Sequence, residues 1–268
     1  MNQMATIVTA FFDIGREQNG DGRKLADYLA WINKTLQLNC NLYIATEERF
    51  RTLFEENRPS AYKDKTFIKI IQLSDSHYYR YLDQMRAIVG TPEYKARIAY
   101  PNRVECVLPE YNVIQYSKFD YLRMAIEANP FKSEYFFWLD AGASRFFQHI
   151  DASNPFPSPL GLNNIKSSGN LFIAQGRIDL ATYQFDESQF IWTADNLIFG
   201  GMFGGKADIV IEIGTLLDQV FVEKMLGQGN VNNEQLALAL IWNKNRDKFA
   251  LCRDRQQQIA LLAILGQQ

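Results

Sequence analysis

Two carboxylates stand where bulky apolar runs end. Ala5 to Phe12, rich in Ile, Val, Thr and Phe, gives way to Asp13, and Tyr135-Phe-Phe-Trp-Leu139 runs straight into Asp140. In an open α/β sheet, ligands bind beyond the carboxyl ends of the strands. Five bulky residues bury the second run, so the Asp140 carboxylate emerges at the sheet's edge beside Ala141 and Gly142, where a metal ion or a sugar hydroxyl can approach. Aspartate is also a common helix cap and turn residue, which gives both positions a purely structural reading.

Further residues offer chemistry of their own. Gly200-Gly-Met-Phe-Gly-Gly205-Lys206 matches neither GxGxxG nor the phosphate-binding GxxxxGK[ST]. The run predicts a glycine loop, either a tight turn or a place where backbone amides approach an acceptor or diphosphate. In Asn232-Asn-Glu-Gln235, Asn232 and Gln235 have capping-box spacing. Glu234 then falls in a first helical turn, serving the helix dipole or acting as a base or hydroxyl acceptor. Lys118 and Arg123, on one helix with Asp120, either neutralise a diphosphate or form a solvated charged face. Two histidines occur, His77 and His149; the latter, near Arg145, either ligates a metal or simply packs. Tyr78, Tyr79 and Tyr81 stack a base or sugar, or belong to a core. A GxSxG nucleophile motif is absent.

The elements that must hold these groups follow from periodicity. Leu25, Tyr28, Leu29, Ile32 and Leu36 form a helical stripe after the first strand. Leu42 to Ala45 reads as a strand, Glu47 to Asn57 as a helix and Phe67 to Leu73 as a third strand. That β-α-β-α-β order favours a parallel, Rossmann-like α/β sheet. Helices are expected at Asp75 to Val89 and Tyr116 to Ala128, with irregular chain from Thr91 to Asn112 and a loop at Ser153 to Pro159. Leu171 to Ala174 and Asn196 to Phe199 are short strand candidates. Ala207 to Leu226 and Asn232 to Trp242 read as helices. Ile259 to Leu265, preceded by Arg253 and Arg255, is an amphipathic segment expected to dock on the core, with peripheral membrane contact as the other reading. One domain spans 1–268.

Composition limits the function classes. The chain has 268 residues, 47% hydrophobic and 13% aromatic, enough for a large core. Lys plus Arg number 28 against 30 Asp plus Glu, a formal charge of -2, which argues against nucleic acid as partner. No apolar run reaches the roughly 18 residues of a membrane-spanning helix. The first residues carry no basic stretch and read as a strand, not a signal peptide. Three scattered cysteines give neither a disulfide framework nor a zinc site, so a cytoplasmic location is expected.

Taken in order, Thr6 to Arg16, Tyr116 to Arg123, Phe137-Trp-Leu-Asp-Ala-Gly142, Gly200 to Gly205 and Asn232 to Gln235 resemble the HtrL/YibB family and, more broadly, GT-A glycosyltransferases. The resemblance covers about residues 4 to 243. It implies a GT-A-like domain with a mixed, mostly parallel central sheet flanked by helices, nucleotide-binding over about 1–145 and acceptor-facing over about 146–268. It also implies a nucleotide-sugar donor and a glycan or lipid-linked acceptor in bacterial lipopolysaccharide or capsule assembly. Thr9, Ala10 and Phe11 would line the nucleotide pocket, with Asp13 and Arg16 in the loop beyond, and Lys118 and Arg123 would approach the diphosphate. Asp140 matches the first Asp of a DxD motif, whose second position is Gly142. Either Asp140 binds a divalent ion (manganese or magnesium) with help from elsewhere, or Lys and Arg stabilise the departing diphosphate. Gly201, Met202, Phe203 and Gly204 would face the donor sugar or acceptor, and Glu234 or Asp195 would be the base. The other class of reading is a GT-A-like protein that binds a nucleotide or glycan without catalysis. A dehydrogenase is disfavoured because Phe11-Phe-Asp-Ile-Gly15 stands where GxGxxG would be.

Overall fold

The computed structural model describes residues 4–147, 150–253 and 259–267. Its strands are β1 (Ala5–Phe11), β2 (Asn41–Thr46), β3 (Thr66–Ile70), β4 (Tyr135–Leu139), β5 (Phe172–Gly176), β6 (Ile198–Lys206) and β7 (Phe249–Cys252). They form one sheet in the order β3-β2-β1-β4-β6-β5-β7. All neighbours pair in parallel except β6, which is antiparallel to both β4 and β5. The sheet draws strands from both halves of the chain.

Successive side chains along a strand face opposite ways, so an apolar run feeds two cores. Val8, Phe136, Trp138 and Phe203 pack on one face; Ile7, Phe137, Leu139 and Met202 pack on the other. The first face carries the long helix α4 (Pro109–Ala128), named after α1 (Leu25–Leu36), α2 (Arg51–Asn57) and α3 (Leu82–Gly90). It also carries α6 (Ala207–Val220), which follows α5 (Pro159–Lys166), and α7 (Glu234–Lys244). The second face carries α1 and the last helix, α8 (Ala260–Leu265). Leu261 and Leu265 are buried, so the C-terminal segment does dock on the core. Each fully buried side chain of this kind contributes roughly 1.5–3 kcal/mol. Among the described residues no helix is long and apolar enough to cross a membrane.

The glycine run is not a loop. Gly200 to Gly205 lies inside β6, between β4 and β5. Missing side chains let the strand lie close to its surroundings: a Cβ at Gly204 would overlap the Phe136 carbonyl oxygen, and one at Gly200 would overlap Glu234 Oε1. Because β6 runs backwards, its first residues reach the sheet edge where β4 ends, and the Asp140 amide donates to the Gly201 carbonyl at 2.9 Å.

Other boundaries moved for local reasons. The 91–112 segment is partly helical (Pro92–Arg97 and Val104–Val107), and α4 starts at Pro109 rather than Tyr116. Both prolines sit in a first helical turn, where a missing N–H costs nothing. The expected helix at 75–89 opens as 3₁₀ turns and becomes α-helical only at Leu82, because Gln72 and Asp75 close a separate capped turn. Asn233, not Asn232, caps α7, accepting from the Gln235 amide at 3.1 Å. The Asn232 side chain donates instead to the carbonyls of Ile191 and Thr193.

Candidate active site

The strand order turns back at β1: β2 lies on one side and β4 on the other. Such switch points open a crevice beyond the strand ends, and a two-armed cleft lies there. Its outer arm, about 240 Å³, runs from Ala10 and Phe11 past Asp13 and Arg16 to Asp140 and Gly142. Its inner arm, about 160 Å³, is bordered by Lys118, Gly200, Gly201, Arg177 and Gln235. Tyr111, Gln115, Asp140 and Arg145 border both arms. Asp140 and the start of the glycine strand thus share one hollow.

The outer arm has aromatic walls, Phe12, Tyr28, Tyr111 and Trp138. Two of its cations are already engaged. Arg16 pairs with Asp21 at 2.8 Å, hydrogen-bonds Tyr28 and lies over the Tyr111 ring; Arg23 also reaches Asp21, at 3.8 Å. Asp13 is turned toward its own loop, accepting from the Gly15 amide at 3.0 Å with Arg49 at 3.5 Å.

Where the arms meet, Lys118 is 1% exposed and surrounded by three acceptors: Glu234 Oε1 at 2.6 Å, the Gly200 carbonyl at 3.0 Å and Asp140 Oδ1 at 3.1 Å. An ammonium has three N–H groups, so each has a partner. Burial pulls the lysine's pKa down, but the carboxylates of Asp140 and Glu234 outweigh it and hold the pKa above the ordinary value. Glu234 is fully buried; burial pushes its pKa up against the pull of Lys118. Its Oε2 has no hydrogen-bond partner. Asp140 also accepts from Trp138 Nε1 at 2.7 Å, again on Oδ1. Oδ2 is left for the cleft, and the side chain is 38% exposed. Lys118 and Trp138 therefore orient the carboxylate so that one oxygen faces whatever enters.

A protein-held divalent cation does not fit this donor set. Oδ1 of Asp140 is taken twice, by Trp138 and by the buried Lys118 ammonium, and position 142 offers no carboxylate. Among the described residues no three His, Cys, Asp or Glu side chains gather in a metal-ligating group. His149 lies outside the described residues.

Of the residues singled out in the sequence, Ala10, Phe11, Asp13, Arg16, Asp140, Gly142, Lys118 and Gly201 border the cleft. Thr9 is wholly buried one residue below it, with Oγ1 unpartnered. Met202 and Phe203 are core residues, Phe203 stacked on Phe119, and Gly204 packs against β4. Arg123 faces Asp218 at 3.9 Å and borders neither arm. Asp195 is exposed and accepts from the Tyr183 hydroxyl at 2.7 Å, also outside both arms. Glu234 borders neither arm; it lies behind the site, paired with Lys118 and packed against Gly200. Sequence reading missed Tyr28, Tyr111, Gln115, Arg145 and Arg177 as cleft residues. Tyr111 and Gln115 share α4, but Tyr28, Arg145 and Arg177 come from other segments, and the fold brings them together.

The HtrL_YibB family model, described as a bacterial protein of unknown function, matches residues 3–259. No curated protein matches the chain. Among solved structures, core-mannan synthase A from Aspergillus fumigatus in its Mn/GDP form is similar over 93% of this chain and 72% of that one, with 8% identity and a TM-score of 0.52. Mouse xyloside xylosyltransferase 1, apo form, covers 92% of this chain and 84% of that one at 10% identity and a TM-score of 0.47. The 4-diphosphocytidyl-2C-methyl-D-erythritol synthase of Anaerococcus prevotii covers 96% and 90% at 9% identity and 0.41. The fold is GT-A-like, a mixed, mostly parallel sheet flanked by helices.

Proposed function

Because the chain belongs to the HtrL_YibB family and opens a cleft at the switch point of a GT-A-like sheet, we propose that it is a nucleotide-sugar-dependent glycosyltransferase. The observation that carries this reading is the Asp140 carboxylate, held by Lys118 and Trp138 with one oxygen directed into a two-armed hollow. The aromatic outer arm suits a nucleoside, whose base and ribose need flat apolar walls with a few polar contacts. The inner arm takes the sugar end. In the transfer step the bond from the anomeric carbon to the diphosphate oxygen breaks while an acceptor hydroxyl oxygen bonds to that carbon. Negative charge grows on the departing diphosphate, and fixed cations around it lower the barrier. Asp140 Oδ2 is placed to accept a proton from the acceptor hydroxyl or a hydrogen bond from the donor sugar. Glu234, 0% exposed, acts through Lys118: its charge keeps the ammonium in place behind Asp140.

The acceptor we assign is a glycan or lipid-linked glycan in bacterial lipopolysaccharide or capsule assembly, reached in the cytoplasm or at the inner membrane face. That context comes from the family resemblance. Purified protein incubated with UDP- and GDP-linked sugars, with and without manganese, should release nucleoside diphosphate from at least one donor. Asp140→Asn should slow that release by about a hundredfold, the lower range for losing a positioned acid–base group. Gly142 at the second DxD position favours one other reading, a protein that binds a nucleotide or glycan without turning it over. That reading expects donor binding with no release, and an Asp140→Asn protein that keeps its biological role.

A further inference from the structure

We infer that this chain grips the diphosphate of its donor with the guanidinium groups of Arg145 and Arg177, and does so without a divalent cation. The inference rests on the donor site proposed above. Five cationic side chains border the cleft: Arg16, Arg23, Lys118, Arg145 and Arg177. Arg16 and Arg23 are paired with Asp21, and Lys118 has all three N–H groups matched by Asp140, Glu234 and Gly200. Asp21 thus offsets part of the charge of Arg16 and Arg23, and the Lys118 ammonium has no N–H left over. Among the described residues Arg145 and Arg177 alone in this set have no carboxylate within ion-pair distance. Both are exposed, and both border the inner arm, which Asp140 also lines.

Aromatic rings set their orientation. The Arg145 guanidinium lies over Trp31 at 5.0 Å and Phe146 at 4.9 Å; that of Arg177 lies over Phe199 at 4.9 Å. A ring under the flat face leaves the N–H edge free, and that planar edge matches two phosphate oxygens at once. Arg177 makes a single long contact, to Gln235 Oε1 at 3.4 Å, which steadies it without neutralising it.

Charge balance points the same way. Lys118, Asp140 and Glu234 together carry one net negative charge, which repels a diphosphate, and two unpaired guanidiniums reverse that sign. A divalent ion seated on Asp140 Oδ2 would face the Lys118 ammonium already at 3.1 Å from the other oxygen of the same carboxylate. Two cations on one carboxylate repel each other. The lysine already supplies that carboxylate with a cation.

The test is calorimetric titration of the full chain with inorganic pyrophosphate, UDP and GDP, each in EDTA and in manganese. At least one of the three should bind in EDTA, with affinity within about twofold of that in manganese. Arg145→Ala and Arg177→Ala should each weaken it about tenfold or more, the scale of a lost charge-assisted contact. The melting temperature should stay unchanged, since both side chains are exposed. Binding in manganese that disappears in EDTA would overturn this inference and leave the glycosyltransferase reading standing. Binding in EDTA that neither substitution weakens would overturn the assignment to these two arginines. No binding under either condition would overturn the donor site itself, and this inference with it.

Discussion

Helix α4 carries two charge clusters that make opposite use of similar residues. Lys118 and Arg123 are five positions apart, which on an α-helix separates them by about 140° around the axis and about 7.5 Å along it. Lys118 points under the cleft, 1% exposed, with Glu234 at 2.6 Å and Asp140 at 3.1 Å. Arg123 points away, 33% exposed, with Asp218 at 3.9 Å in a group that includes Asp120, His77 and Tyr78. The Arg123 pair is screened by water and adds little. The Lys118 cluster is desolvated, so each partner is costly to remove and each geometry is tightly held. A charged residue on this helix therefore gains a chemical role through its phase relative to the strand ends, and its charge alone is not enough.

The contrast can be broken most sharply at Lys118. Lys118→Met leaves Glu234 buried without its counter-charge and should cost about 3–5 kcal/mol in urea unfolding. Replacing both partners, Lys118→Met with Glu234→Leu, should recover much of that stability while donor binding stays lost. A single-variant cost under about 1 kcal/mol would mean the cluster is no more consequential than a surface pair. Asp140→Asn separates stability from chemistry. The amide oxygen still accepts from Lys118, so unfolding should shift by only about 1 kcal/mol, whereas donor turnover falls about a hundredfold.

pH sharpens the comparison further. Folding raises the Lys118 pKa above its ordinary 10.5, so its pairing contributes in full below that pH and is lost as pH climbs through the higher folded value. The stability gap between wild type and Lys118→Met should thus hold steady from neutrality to about pH 10.5 and narrow above it. Equilibrium unfolding at a series of alkaline pH values reads this directly, and a gap that stays constant would refute it. The smallest effect belongs to the other cluster: Arg123→Ala should change stability by no more than about 0.5 kcal/mol, a difference that salt erases, with donor binding untouched.

The order of strands and helices was largely legible from the sequence, because runs such as Tyr135 to Leu139 must be buried and the Leu25 to Leu36 stripe must be helical. The meeting of Asp140 with the glycine segment at Gly201 comes from the strand pairing. What the sequence could not give was the direction of that segment. Four glycines read locally as a loop, whereas an antiparallel place between β4 and β5 uses them for close approach to Phe136 and Glu234. The phase of α4 was also hidden. Lys118 and Arg123 look equivalent as residue types, and only the start of the helix at Pro109 and its packing on β1 and β4 distinguish them. Arg145 and Arg177 left no local signal, since what sets them apart among the described residues is the lack of a carboxylate partner, which any segment could have supplied.

The central claim is that a donor lies along the cleft with its diphosphate at the Asp140 corner. A crystal structure of the full chain soaked with UDP or GDP tests it most directly. The nucleoside should lie between Tyr28 and Tyr111, with phosphate oxygens in hydrogen-bond reach of Arg145 or Arg177. A nucleotide bound elsewhere, with the hollow beside Asp140 left to solvent, would contradict the account.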